Sequence, residues 1–340
     1  MFKQESIDIS CTDIVVNVQH VSKVYLQIQR DLAGQGLIKG LFQPQKKKIH
    51  ALEDLSFIIH KGEFVAYAGP NGAGKSTTMK ILAGMLLPSQ GTVSVLGLSP
   101  HIDRIPLMRK LGVLFGNRTE LWWDHPIQQS FEWKRVVWDI PKPIYQENLD
   151  LVTELLDLRP ILKTYARELS YGQRMKADLA MMLLHSPECI LLDEPTLGLD
   201  VVAKRRMIDF LKYLNVQRGT TILVTSHDMD DLQEMAHRIL MISNGRLVYD
   251  GHFEGLRNIT GNMTRITLTM NQEIEPGFEF GTLLEASQGV YQFEVDLMRY
   301  PIESVLQHLS QIQGIQDIEI NRAPMEQVVS ELFQRWKGTP

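Results

Sequence analysis

The run GPNGAGKST, Gly69 to Thr77, constrains this chain more than any other stretch. It fits G-x-x-x-x-G-K-[ST]. The apolar run EFVAYAG precedes it, and KSTTMKILAGMLL, with helical spacing, follows it. A strand that feeds a glycine loop and then a helix is the context in which this motif binds phosphate. The residues Gly69, Pro70, Asn71, Gly72, Ala73, Gly74, Lys75, Ser76 and Thr77 would form the cradle. Glycines let the loop turn its N–H groups inward, and the helix N-terminus adds partial positive charge. Lys75 would reach the β- and γ-phosphates of a nucleotide, and the Ser76 hydroxyl would hold Mg²⁺.

A second feature supplies the acids. ILLDEP, residues 190 to 195, is an apolar strand that ends in two carboxylates. Ligands of α/β sheets bind at the carboxyl ends of strands. Asp193 is therefore expected to hold Mg²⁺, and Glu194 to polarise an attacking water as general base. The strand TTILV runs into TSHD, which makes His227 a candidate for contacting the γ-phosphate or that water. Read alone, an acidic strand end is a helix cap and a strand-end histidine is a solvated surface group. Their company changes the reading.

Strand-like and helix-like runs alternate from IVVNVQHVSKVYL, roughly residue 14, to RILMISNGRLVYDG, with Asn244-Gly245 as a hairpin turn. A helical stretch interrupts them from about 117 to 186. Glycines near 255 to 263 mark a boundary. Beyond it, TRITLTM, VYQFEVDL, IESVLQHLSQI, IQDIEIN and MEQVVSELFQRW read as a small α+β unit over 263 to 340. The first domain is then 1 to 258. A length of 340 residues suits this division, at about 100–200 residues per domain.

Composition narrows the class. The net charge of −5 argues against a dedicated nucleic-acid binder, which needs a basic surface. The two cysteines, Cys11 and Cys189, make no metal-ligand cluster and favour a reducing, cytoplasmic setting. No stretch reaches the ~18 consecutive apolar residues that a membrane span needs.

At LSYGQ, residues 169 to 173, the motifs join into a pattern. A phosphate cradle, a helical insertion ending in L-S-x-G-Q, then ILLDEP, GLD and SHD resemble an ABC-type ATPase over residues 13 to 252. The chain is most similar to the ATP-binding subunits that pair with bacterial type-2 exporter permeases. The resemblance implies an α/β P-loop NTPase of ABC type, with an antiparallel β subdomain and a helical insertion, plus the small C-terminal domain. It implies ATP and Mg²⁺ as ligands, a second ATPase copy in a head-to-tail dimer, and integral-membrane permease subunits as partners. The protein would then sit peripherally on the inner face of the cell membrane. Tyr25 aligns with the aromatic that stacks on adenine. Ser170, Gly172 and Gln173 would meet the ATP held by the other copy, and Asp200 would lie at the dimer interface.

Two positions depart from the family pattern. Tyr171 stands where glycine is usual in the signature. Asn117 stands nearest to where glutamine is usual, in the role of reaching Mg²⁺ and the attacking water. Asn117 belongs to LFGNRTELWWDHP, residues 114 to 126, which resembles a tryptophan-rich loop of one exporter subgroup. Trp122 and Trp123 are expected either to anchor a cytoplasmic helix of the permease or to pack inside the helical subdomain. A basic insertion over about 27 to 50 offers a further contact. Leu37, Ile38, Leu41 and Phe42 would share one helical face beside Lys46 to Lys48, suited to an anionic membrane surface, with an exposed basic loop as the alternative.

Rival readings are an ABC ATPase acting on ribosomes or DNA, and a module that binds nucleotide without hydrolysing it. The single cassette and acidic balance weigh against the first. Glu194 and His227 weigh against the second.

Overall fold

The computed structural model describes residues 13–29, 45–115, 119–260, 263–271 and 277–337. They form two compact units. The larger runs up to His227 and includes Asp231–Asp250; the smaller holds Asp228–Asp230 and the chain from Gly251 onward.

The larger unit is built on a six-stranded sheet of order β5-β6-β7-β3-β8-β9. Its strands are β3 (Phe64–Ala68), β5 (Leu111–Phe115), β6 (Cys189–Asp193), β7 (Thr221–Thr225), β8 (Arg238–Ser243) and β9 (Arg246–His252). Strands β5, β6, β7, β3 and β8 run parallel. Every residue of β3 and β7 is buried. Parallel strands are covered on both faces, so they read as continuous apolar runs such as FVAYA and TILVT. Cys189 lies in this layer and is buried. The β8–β9 connection is the expected Asn244-Gly245 turn, with φ of 49° and 78°. Both values are positive, as a two-residue hairpin turn requires.

The consequence is positional. Strands β3, β6 and β7 end at one edge of the sheet. The glycine loop follows β3 and opens α1 (Lys75–Leu82), Asp193 closes β6, and His227 follows β7.

A second sheet, of order β2-β1-β4, lies in the same unit. It joins β1 (Ile14–Gln29), β2 (Gln45–His60) and β4 (Gln90–Val95), all antiparallel. Here the sequence reading needs correction. The segment from 27 is not a polar loop at either end. Gln29 pairs with Gln45, and Lys46, Lys47 and Lys48 face Ile28, Gln27 and Leu26 within a long two-stranded ribbon. Polar residues at a ribbon edge weaken the apolar alternation by which strands are read. Leu37, Ile38, Leu41 and Phe42 lie outside the described residues.

A short helix, α2 (Arg104–Met108), precedes β5. Between β5 and β6 stand α3 (Ile127–Val137), α4 (Lys142–Leu155) and α5 (Tyr171–Leu183), the expected helical insertion. After β6 come α6 (Val201–Arg218) and, after β7, α7 (Met229–Met235).

The smaller unit holds a four-stranded antiparallel sheet of order β11-β12-β10-β13. Its strands are β10 (Met263–Met270), β11 (Thr282–Ser287), β12 (Val290–Asp296) and β13 (Ile315–Arg322). Ile266, Leu268, Phe293 and Val295 of the sheet bury against Val305 and Leu309 of α9 (Ile302–Leu309). The helix α8 (Phe253–Thr260) belongs to this unit, so the division falls at Gly251 rather than in the glycines that follow. Arg257 of α8 donates to the carbonyl of Ala323 at 2.6 Å, just before α10 (Met325–Lys337). A charged donor on a backbone acceptor ties the helix to that neighbour. Among the described residues, no helix is long and apolar enough to cross a membrane.

Candidate functional site

The glycine loop is shaped by what surrounds it. Gly74 caps α1 at φ 111°, and a Cβ there would stand 2.6 Å from the Ala51 carbonyl oxygen. A Cβ on Gly69 would meet the Ile242 carbonyl oxygen at 2.3 Å. Both positions therefore demand glycine, one for its backbone angle and both for space. The β8–β9 hairpin braces the loop from outside: the Gly245 N–H donates to the Ala73 carbonyl at 3.0 Å. Beneath it, the buried Tyr67 hydroxyl meets Thr78 Oγ1 at 3.0 Å, joining β3 to α1. Burial pushes the Tyr67 hydroxyl well above its ordinary range.

Lys75 is buried, and its Nζ donates to the Gly69 carbonyl at 2.7 Å and the Pro70 carbonyl at 3.3 Å. Burial lowers its pKa, while the carboxylates of Glu194 and Asp193 favour the charged form. Lys75 thus faces both acids named from ILLDEP. Ser76 is exposed, and Asn71 and Gly72 form the open lip of the loop.

The acids are held by one residue that sequence reasoning passed over. Thr225 ends β7 directly opposite Asp193 of β6. Its fully buried hydroxyl donates to Asp193 Oδ1 at 2.7 Å and accepts from the Glu194 N–H at 3.1 Å. The Glu194 N–H also reaches the Thr225 carbonyl at 3.1 Å. Glu194 itself sits at φ 57°, a left-handed conformation that a glutamate adopts only when its surroundings hold it there. Its side chain ends 2.7 Å from His227: Oε1 against Nε2. Sequence placed the two residues 33 positions apart in function only; the parallel β6–β7 register brings them into contact.

Ser76, Asp193 and Glu194 line an open cavity of about 810 Å³ that Tyr171, Arg174 and Asp178 of α5 also line. The oxygens of Ser76 and Asp193 are hard donors of the kind Mg²⁺ takes, so the residues present fit that ion.

The signature residues open α5. Ser170 Oγ accepts from the Gln173 N–H at 3.3 Å, and Gln173 Oε1 accepts from the Ser170 N–H at 2.9 Å. This reciprocal capping box satisfies two donors at the helix start. A Cβ on Gly172 would lie 3.5 Å from Leu199, ordinary contact, so Gly172 is not required by packing within the chain. Asp200 caps α6, accepting from the Ala203 N–H at 2.8 Å. Tyr171 packs its ring on Gly198, where a Cβ would stand 3.1 Å from the ring edge.

Tyr25 lies in β1 opposite Ile49, with Lys23 Nζ 5.4 Å from its ring centre. Among the described residues no hydrogen bond or ring contact joins Tyr25 to the cradle. Asn117 lies outside the described residues. The loop resumes at Thr119, whose hydroxyl donates to Asp178 Oδ1 at 2.7 Å, while the Glu120 N–H reaches the same oxygen at 3.2 Å. Burial raises the Asp178 carboxyl to about 6, against the lowering effect of those two donors. Trp122 and Trp123 are 38% and 49% exposed, so neither is a core residue.

A family model described as ABC transporter matches residues 52–197. The ABC transporter ATP-binding protein NatA of Bacillus subtilis is 32% identical over 215 residues, which cover 63% of this chain and 87% of NatA. The chain belongs to the ABC transporter ATP-binding proteins. It is an ABC-type ATPase and binds nucleotide. The probable multidrug ABC transporter ATP-binding protein YbhF of Escherichia coli is 30% identical over 224 residues, which cover 65% of this chain and 38% of YbhF. A solved ATP-binding subunit of an ABC transporter superposes with a TM-score of 0.61 at 22% identity, covering 73% of this chain and 93% of that one. An ATP-binding cassette solved as a dimer, in a post-hydrolysis state bound to ADP and Pi, gives 0.58 at 23% identity over 70% and 98%. The fold of the larger unit is that of the ABC P-loop ATPases.

Proposed function

We propose that this ABC-type subunit drives export through a separate membrane permease, working as a pair of identical chains on the cytoplasmic face. The observation that carries the hydrolytic half is the 2.7 Å Glu194–His227 pair beside the glycine loop.

The roles follow from position. The loop Gly69 to Thr77 turns its N–H groups to the phosphates, and Lys75 adds positive charge. Ser76 and Asp193 would hold Mg²⁺, which when bound neutralises charge building on the β- and γ-phosphates. Glu194 takes a proton from the attacking water. His227, bonded to the same carboxylate, orients it and contacts the γ-phosphate. Asn117, by its position in the sequence run LFGNRTELWWDHP, would be the amide that senses Mg²⁺ and the attacking water. Tyr25 stacks on the adenine, since a flat aromatic face suits a flat base.

Each chain completes the site of the other. Ser170, Gly172 and Gln173 present a helix N-terminus, an anion site, to the nucleotide of the second copy. Ser170 accepts a hydrogen bond as a cap, which leaves its O–H hydrogen to donate. Asp200 sits at the same interface. ATP then biases a two-state equilibrium between joined and separated cassettes. Trp122 and Trp123 anchor a cytoplasmic helix of the permease, as buried aromatics do at interfaces. The exposed Leu26, Lys47 and Lys48 of the β1–β2 ribbon suit an anionic membrane surface. No nucleic-acid partner is proposed.

Steady-state ATP hydrolysis by the full chain tests the reading. Glu194→Gln should cut turnover about a hundredfold or more while ATP binding persists, the usual range for a lost general base. A wild-type chain that binds ATP and never turns it over contradicts it.

A further inference from the structure

Tyr171 of the signature run and Trp123 of the tryptophan loop are joined by Arg174. Arg174 lies one turn into α5 from Tyr171. Its guanidinium carbon stands 5.6 Å from the Tyr171 ring centre and 5.7 Å from that of Trp123. One cation therefore lies within reach of two aromatic rings, close to the distance at which a ring quadrupole attracts a cation. Both Tyr171 and Arg174 line the cavity that Ser76, Asp193 and Glu194 line. Trp123 is half exposed on the far side of the stack, in the loop that leaves β5. The loop is fastened there by its backbone, since the Trp123 carbonyl accepts from the Arg167 N–H at 3.1 Å. Tyr171 in turn rests on Gly198, in the turn that follows Glu194.

We propose that Arg174 is a positioning residue: its guanidinium, stacked against Tyr171 and Trp123, links the nucleotide cavity at the start of α5 to the exposed tryptophan loop. The link rests on the nucleotide site proposed above. It gives the bulky Tyr171 a purpose, because a glycine there would remove one ring of the stack. It also distinguishes the buried sides of the two tryptophans, whose exposed sides both remain for the permease helix. Trp122 packs on Trp133 and His125, each at 5.3 Å between ring centres, within the helical insertion. Trp123 carries the contact with the cavity wall. When the start of α5 moves on nucleotide binding, the stack moves Trp123 with it. A lysine at 174 would keep the charge but not the planar face that covers two rings.

Intrinsic tryptophan fluorescence of the full-length chain tests this, in the Glu194→Gln background so that ATP stays bound. Adding ATP and Mg²⁺ should change the emission, and Trp123→Phe should remove that change. Arg174→Lys should lose most of that amplitude, since an ammonium keeps the charge but has no planar face to cover both rings at once. Each amplitude is read at saturating ATP, because Arg174 and Tyr171 themselves line the nucleotide cavity. Tyr171→Phe, which keeps a ring, should retain the signal, and Tyr171→Leu should lose it. Full amplitude in Arg174→Lys or Tyr171→Leu overturns the proposal, as does an ATP-dependent signal that survives Trp123→Phe. Failure of the Glu194→Gln chain to bind ATP at all overturns the nucleotide-site reading instead.

Discussion

At the scale of single residues, the site depends on atoms that carry no motif of their own. Thr225 shows this best. One hydroxyl holds the Asp193 carboxylate by donating and the Glu194 N–H by accepting, so its loss frees Asp193 while the Thr225 carbonyl still holds the Glu194 backbone. Thr225→Val should lower kcat for ATP about 10- to 100-fold with the fold intact, since one lost hydrogen bond to a charged group is worth roughly 1.5–3 kcal/mol. Thr225→Ser should restore most of the rate. Comparing turnover and melting temperature of the two variants checks this. Gly74 makes the opposite case, a residue needed for what it lacks. At φ 111° and 2.6 Å from the Ala51 carbonyl, Gly74→Ala should cost about 1–3 kcal/mol of stability and abolish ATP binding. Calorimetric melting and nucleotide titration read the two effects separately. The glycine and the acids were legible in GPNGAGKST and ILLDEP. Thr225 was not, because its importance comes from a strand register, and register is a tertiary property.

At the scale of elements, the helical insertion carries an unusual load of buried polar groups. Lys134 of α3 is buried, ion-paired with Glu120 at 3.0 Å, and its Nζ lies 4.6 Å from the Trp138 ring centre. Burial lowers its pKa against the pull of Glu120. Trp138 also packs on His185, just past the end of α5, at 4.7 Å between ring centres. Burial first, and then the charge of Lys134, lower the His185 pKa to about 4. The unfolded imidazole takes up a proton below its ordinary value of 6.5, and the folded one resists until about 4. Folded stability is therefore complete above 6.5 and is lost as pH falls toward 4. The loss from this group is about 2 kcal/mol, discounted for its partial exposure. His185→Gln should flatten that limb, visible as a smaller drop in melting temperature between pH 7 and pH 4.5.

The element scale also shows where sequence patterns fade. Strands such as TILVT and helices such as YGQRMKADLAMML stood out because burial on two faces, or on one stripe, leaves a period in the residues. Strand β11, TLLEAS, has all six residues exposed and left no period to read. The ribbon formed by β1 and β2 hid its length for the same reason: QKKK pairs through its backbone, and a backbone ladder accepts any side chain that faces solvent.

At the scale of the whole molecule, the nucleotide-binding unit was legible nearly in full, because five motifs in order leave little freedom to the fold. Beyond Gly251 the strands TRITLTM, VYQFEVDL and IQDIEIN and the helices α9 and α10 were legible too, whereas β11 and α8 were not. What that unit does was not legible, because its sheet is held by apolar packing common to many folds. The signature residues carry the largest claim at this scale. Ser170 and Gly172 open a helix whose start is capped but whose glycine meets no steric demand within the chain. A glycine that packing within the chain does not require fits one that a second chain approaches closely. The central claim is that the ATP site is completed by a second copy. Sedimentation of the full-length Glu194→Gln chain with ATP and Mg²⁺ tests it most directly. The account predicts a species of twice the chain mass with ATP that returns to single-chain mass with ADP. Saturating ATP binding at single-chain mass would contradict it.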